Sequence, residues 1–199
     1  MKSFNSFIVT FLLLFSNINA VFSANVINDL HHYQKIDLPY SSKGLEKYYY
    51  WSDFGIKLSP NMPFPLRFSN KEFSFKPKLF KYLTKSAFYF PHVYFHYNDI
   101  LYKGIIYMAI GENDANVFTF QLNSFDAKNN LIDAIVLYKI QNGEISYWND
   151  FFIKTNGKIL IKQHQQQNLF EDDEAPNDKI QTTEIEYQID HSGIFNKIK

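Results

Sequence analysis

The sequence predicts a mainly β domain: an antiparallel meander built as a sandwich, an open sheet or a small barrel, with one short helix near residues 77–84. Three observations predict it. Aromatic residues make up 19% of the chain, with 21 Phe and 14 Tyr, and aromatic side chains suit a pleated, half-buried surface. Between Asn116 and Gln163, four apolar or alternating segments follow one another across short polar turns. Two of those turns, Gln141-Asn-Gly143 and Thr155-Asn-Gly157, contain Asn-Gly, which accepts the positive φ angles of a type I′ hairpin.

Composition bounds the rest. The 199 residues are enough for one domain or two small ones with a real core. A hydrophobic content of 46% excludes a disordered chain. Lys plus Arg and Asp plus Glu balance at 20 each, and Arg67 is the single arginine. A neutral, Arg-poor chain fits nucleic-acid binding badly, since that needs a basic footprint. The sequence holds no cysteine, which removes disulfides, thiolate metal sites, a cysteine nucleophile and lipid attachment at an export signal.

At the start, Lys2 precedes the apolar run Phe7–Phe15, and Ser16-Asn-Ile-Asn-Ala20 and Val21-Phe-Ser-Ala24 follow. This order predicts a secretory signal over residues 1–23 and a periplasmic or secreted mature chain. The run is too short to span a bilayer, which takes ~20 residues. Cleavage fits after Ala20, Ser23 or Ala24. The alternative is a buried N-terminal helix or strand. Residues 24–199 then read as one β-rich domain, divisible into an N-terminal portion at 24–65 and a main body at 66–199.

The elements follow in order. Tyr48-Tyr-Tyr-Trp51 is a strand candidate. Prolines 60, 63 and 65 make Ser59–Pro65 a loop, because proline lacks the amide proton and fixes φ. Pro77 at a first helical position, with Leu79, Phe80 and Leu83 at helical spacing, predicts the short helix. From Phe88 the pattern is β, with strands at Val93–Tyr97, Ile105–Ile110, Val117–Ser124, Leu131–Ile140, Ile145–Lys154 and Lys158–Gln163. Phe118, Phe120 and Leu122 share one face of theirs, and Thr119, Gln121 and Asn123 share a face expected to be wet. Leu131–Ile140 is apolar on both faces, which predicts a central strand. Gln165–Asp178 reads as an exposed polar loop. Glu184–Asp190 alternates again, with Ile185, Tyr187 and Ile189 inward. The predicted core is Phe118, Phe120, Leu122, Ile132, Val136, Ile185, Tyr187 and Ile189.

Two pieces of the C-terminal half carry a resemblance. They are the hairpin Val117–Tyr138, with Phe-x-Leu-x-Ser-Phe-Asp and then Leu-Ile-Asp, and the ending Tyr187-Gln-Ile-Asp-His-Ser-Gly-Ile-Phe195. Together they resemble small, uncharacterised, signal-bearing β proteins of Gram-negative bacteria, some of them similar to candidate immunity proteins of contact-dependent toxin systems. The shared motifs are turn chemistry and alternation. The resemblance implies a protein partner and no active site.

Candidate chemistry is sparse. His92 and His96 have the spacing of a helical zinc pair, but they sit in a strand pattern, where residues four apart are ~13 Å apart at ~3.3 Å per residue. Surface or aromatic-packed histidines are the simpler reading. The run Glu171-Asp-Asp-Glu174 lacks the alternating ligands and glycine of a calcium loop. It reads as a solvated loop or, if functional, as a partner-binding patch formed by Glu171, Asp172, Asp173 and Glu174. Asp126 and Asp133 flank a hairpin and read as turn and strand-edge residues. Gly-x-Ser-x-Gly, Ser-x-x-Lys, P-loop and Gly-x-Gly patterns are missing. The aromatics of Tyr48–Trp51 and Phe88–Tyr97 suit core packing first and stacking on a sugar or peptide second.

The expectation is therefore an exported, non-catalytic protein-binding module without cofactor or metal, in its narrowest form a periplasmic toxin-neutralising protein. A secreted hydrolase of envelope polymers is the alternative. A stable complex without turnover distinguishes the first; a cleft with convergent carboxylates or histidines distinguishes the second.

Overall fold

The computed structural model describes residues 30–52, 55–67, 70–73, 78, 88–111, 114–143, 145–168 and 179–199. The expected signal at 1–23 and the acidic run at 171–174 lie outside them. Among the described residues the chain forms β1 Gln34–Lys35, β2 Tyr40–Ser41, β3 Tyr49–Ser52, β4 Gly55–Leu58, β5 Leu66–Arg67, β6 Phe88–Tyr97, β7 Ile100–Ile110 and β8 Asn116–Phe125. It continues with β9 Leu131–Gln141, β10 Ile145–Ile153, β11 Lys158–Gln167, β12 Gln181–Ile189 and β13 Phe195–Lys197. A 3-10 turn at Leu45–Tyr48 and one helical turn, α1 Asn70–Phe73, complete the set. Of the helix expected near 77–84, only Lys78 is described, and it makes a parallel bridge to Ile135.

Eleven strands form one sheet along the path β1-β6-β7-β8-β9-β10-β11-β12-β13, with β2 and β5 attached at β10 and β6; β3 and β4 pair separately. From β6 onward each strand lies antiparallel to its neighbour in sequence, as the meander predicts. β1 runs parallel to β6. The path has two open ends, so the sheet is not closed into a barrel.

The sheet folds over at its middle. β9 and β10 pair only through Tyr147↔Gln141 and Trp148↔Ile140. β10 then swings away and takes β2 as its neighbour at Phe152 and Ile153. Lys78 fills the edge of β9 that β10 leaves: its N donates to Ala134 O at 3.2 Å, and Val136 N donates to its O at 3.3 Å. The fold brings β10–β13 over β6–β9. Phe120 of β8 stacks on Phe151 of β10 at 5.5 Å, and Tyr102 of β7 meets Phe195 of β13 edge-on at 6.1 Å. Burying these rings, together with the aliphatic residues of the same core, favours the fold-over, since each aromatic removes ~150–250 Å² of surface from water.

The hairpin turns share one design. Asp126 N donates to Asn130 O and Asn129 N to Asp126 O; Lys154 N to Lys158 O and Gly157 N to Lys154 O; Asp190 N to Ile194 O and Gly193 N to Asp190 O. The residue before the closing position has positive φ each time: Asn129 at 61°, Gly157 at 75° and Gly193 at 89°. This is a type I turn followed by one left-handed residue, the three-residue hairpin loop. The type I′ expectation for Asn156-Gly157 is thus corrected: Gly157 alone is left-handed, because a three-residue loop needs one such residue and not two. The two-residue loop with both residues at positive φ is Asn98-Asp99, at 49° and 60°, between β6 and β7.

Phe118, Phe120, Leu122, Val136, Ile185, Tyr187 and Ile189 are buried as expected. Ile132 is only half-buried; it lies against the Gly193 turn, where a Cβ on Gly193 would stand 3.1 Å from Ile132 Cδ1. The wet face expected for β8 does not exist: Thr119, Gln121 and Asn123 are fully buried. A second apolar cluster lies on that side of the sheet, with Tyr33, Tyr89, Ile105, Tyr107, Ala109 and Val117 packed against Leu30, Leu66 and Phe73. The polar loop expected from Gln165 begins later, since Gln165–Gln167 belong to β11 and pair with β10.

Candidate functional site

One face of β10–β12 changes character along its length. Two rungs of register, Ile153↔Ile159↔Tyr187 and Phe151↔Ile161↔Ile185, are buried and belong to the core. The next two rungs on the same face are Asn149↔Gln163↔Thr183 and Tyr147↔Gln165↔Gln181. Strand alternation puts them in phase with the core residues, so the core-facing side continues as amides and hydroxyls. With Lys139 and His164 these residues line a concavity of about 180 Å³.

Asn149 is the most buried member of that lining, at 1% exposure. Its Nδ2 and Oδ1 are both buried and have no hydrogen-bond partner in the structure. A buried amide left unpaired costs about 1–3 kcal/mol per group, so its retention needs a reason. Gln165 Nε2 donates to Gln181 Oε1 at 2.6 Å, and the Lys139 ammonium sits 5.4 Å from the centre of the Tyr147 ring. The amides and the Thr183 hydroxyl donate and accept hydrogen bonds without changing charge.

The opposite face of the same strands is charged and aromatic. His164 stacks on Trp148 at 5.2 Å, shares a hydrogen bond with Thr182 Oγ1 through Nδ1 at 2.9 Å, and places Nε2 3.3 Å from Asp150 Oδ2. Lys158–Glu186 and Lys162–Glu184 pair at 2.7 and 3.3 Å. The Lys158 hydrogen bond holds the Glu186 carboxyl below its usual range. These pairs, partly or fully open to solvent, contribute little to stability.

A second polar group lies under α1. Gln121 Oε1 accepts from Tyr107 Oη at 2.8 Å, and Gln121 Nε2 donates to Asn123 Oδ1 at 2.6 Å and to Glu72 O at 3.2 Å. Asn123 Nδ2 donates to Glu72 O and to the Glu72 carboxylate. Burial pushes the Tyr107 phenol far up, so it stays protonated as a donor. This satisfied network anchors the helical turn on β8, and its role is structural.

The residues singled out from sequence fall in several places. Glu171, Asp172, Asp173 and Glu174 lie outside the described residues; the described chain stops at Asn168 and resumes at Lys179. His92 sits at the β6 bulge, edge-on to Tyr48 at 5.0 Å and Phe120 at 5.7 Å, with Nε2 2.9 Å from Tyr40 Oη. Burial, with a smaller effect of Lys47, lowers its pKa to about 4. His96 is exposed on the other end of the strand. Among the described residues no three His, Asp or Glu side chains converge as metal ligands. Asp126 closes its turn by accepting from Lys128 N, Asn130 N and Asn130 Nδ2. In Tyr48–Trp51, Tyr48 is buried and Tyr49 packs on Phe118 at 4.7 Å, while Tyr50 and Trp51 remain about half exposed.

Sequence reasoning missed Asn149, Gln163, Gln165 and Gln181. The available signal was phase. Gln163 and Gln165 continue the i, i+2 series of Ile159 and Ile161, which a loop would not. No family model, curated protein or solved structure matches the chain.

Proposed function

We propose that this chain is a non-catalytic protein-binding module that docks a partner along the free edge of β12. One observation carries the reading. β12 extends from Gln181 to Ile189, but β13 pairs with it only at Tyr187, Gln188 and Ile189, and residues 198–199 extend the cover no further than Glu186. Among the described residues no strand pairs with the outer edge of Gln181–Ile185. An open strand edge offers backbone donors and acceptors to an added strand, and flanking side chains give specificity.

The charge pattern supports a basic partner. Glu171–Glu174 stand in the sequence between β11 and β12, and four carboxylates raise the rate of encounter with a positive surface. In its narrowest form the partner is a toxin enzyme met in the periplasm and neutralised one-to-one.

A pull-down from periplasmic extract, followed by amide exchange of the complex, tests this. A stoichiometric protein partner and slowed exchange across Gln181–Ile185 are expected. Neutralising Glu171–Glu174 to Gln and Asn should slow association and flatten its salt dependence. Turnover of an envelope polymer with no stoichiometric partner would transfer the function to a secreted hydrolase.

A further inference from the structure

The amide-lined concavity uses side chains, not the strand edge, and it goes beyond the protein-binding reading. We infer that it is a binding site for a neutral polyhydroxylated ring, the sugar unit of a saccharide.

Asn149 is the centre of the site. Its carboxamide offers one donor and one acceptor side by side, and both are buried without partners. Adjacent hydroxyls on a sugar ring offer an acceptor and a donor at a matching separation. Most of the remaining lining repeats the same chemistry: three glutamine amides at 163, 165 and 181, the Thr183 hydroxyl, and the Tyr147 ring as an apolar wall, with His164 and with the Lys139 ammonium held 5.4 Å from the centre of that ring. A ligand covered with neutral hydroxyls satisfies such a set, whereas a carboxylate or phosphate would leave most of its acceptors unused. Size agrees as well. The concavity measures about 180 Å³, and ~150 Å³ already encloses a benzene-sized ring.

The position in the fold adds a second reason. Two rungs of this face are apolar and buried, and the change to amides occurs within one strand pair, from Phe151↔Ile161 to Asn149↔Gln163. A polar residue buried as deeply as Asn149 is not needed for solubility. An apolar residue there would remove the unpaired groups at little or no cost to folding. Stability alone does not account for the amide; a ligand that supplies its partners does.

The test is saturation-transfer NMR on the full chain with glucose, galactose, mannose and N-acetylglucosamine, each titrated to saturation, and with glucuronate as a charged control. Saturable binding of at least one neutral sugar is expected, weakened about tenfold or more in Asn149→Leu at an unchanged melting temperature. Thr183→Val, at an exposed position, should weaken the same sugar and decides the matter if Asn149→Leu does not fold. Binding of none of the neutral sugars overturns the inference. So does binding of glucuronate alone, or an affinity unchanged in both variants. Exchange protection of β12 by a protein partner is a separate readout, so failure of either reading leaves the other standing.

Discussion

Asp133 of β9 accepts a hydrogen bond from Phe195 N at 2.9 Å across 62 residues of chain. The same carboxylate takes the Lys78 ammonium, and that ammonium also reaches Phe195 O and lies 5.7 Å from the Phe195 ring. One carboxylate therefore ties the last strand and the Lys78 bridge to β9. It stands where β10 has left β9 and Lys78 alone, among the described residues, takes its place, so the contact reinforces an interrupted ladder.

Asp133→Ala should destabilise the fold by roughly 2–4 kcal/mol, because it leaves Phe195 N and the ammonium without their acceptor. Asp133→Asn keeps an acceptor for Phe195 N and should cost less. Chemical denaturation of the two variants against wild type measures both numbers.

His92 predicts an acid limb of stability. Its pKa falls from 6.5 in the unfolded chain to about 4 in the folded one. Above about pH 6.5 the ring is neutral in both states and its contribution is complete. As pH falls from there towards 4, the unfolded chain takes a proton that the folded chain refuses, and stability drops. The loss should reach on the order of 3 kcal/mol near pH 4. The stability difference between wild type and His92→Phe, followed by denaturation from pH 7.5 to 4, should trace this limb. A difference that stays flat with pH would contradict it.

Gly157 should resist substitution for two separable reasons. Its φ is +75°, and a Cβ would come within 2.7 Å of the Tyr97 ring. Gly157→Ala should cost about 1–3 kcal/mol. In a Tyr97→Leu background the steric part should shrink and the backbone part remain, so a double-mutant cycle should return a coupling above about 0.5 kcal/mol.

Gln121→Leu should cost roughly 2–4 kcal/mol, since it removes the acceptor of Tyr107 Oη and the donor to Asn123 Oδ1 in a fully buried site. The loss should exceed that of Asn149→Leu, which removes groups that have no partners to lose. Thermal melts of the two variants side by side provide the comparison.

Alternation made much of the fold legible. Phe118, Phe120 and Leu122, and later Ile185, Tyr187 and Ile189, reach the core because every second residue of a strand faces the same way. The same rule misjudged Thr119, Gln121 and Asn123. Their cover is Glu72, 49 and 51 residues earlier in the chain for Gln121 and Asn123. No local pattern encodes such a lid. The candidate site was hidden for a related reason. Gln165-Gln-Gln167 looks like a loop by composition, and only its pairing with Tyr147, Ser146 and Ile145 makes it strand.

The two-pair seam between β9 and β10 bears on how the molecule holds together in time. On each side of it, strands pair with their neighbours in sequence, all but β11 and β12 through short loops, and such local closure forms early. Across it, backbone bonds are few, and the halves are held by ring stacking and by Asp133. The β6–β9 and β10–β13 meanders are thus two cooperative units sharing one core, and partial opening runs along the seam. Hydrogen exchange should therefore find the amides of Ile140, Gln141, Tyr147 and Trp148 among the least protected in the long strands.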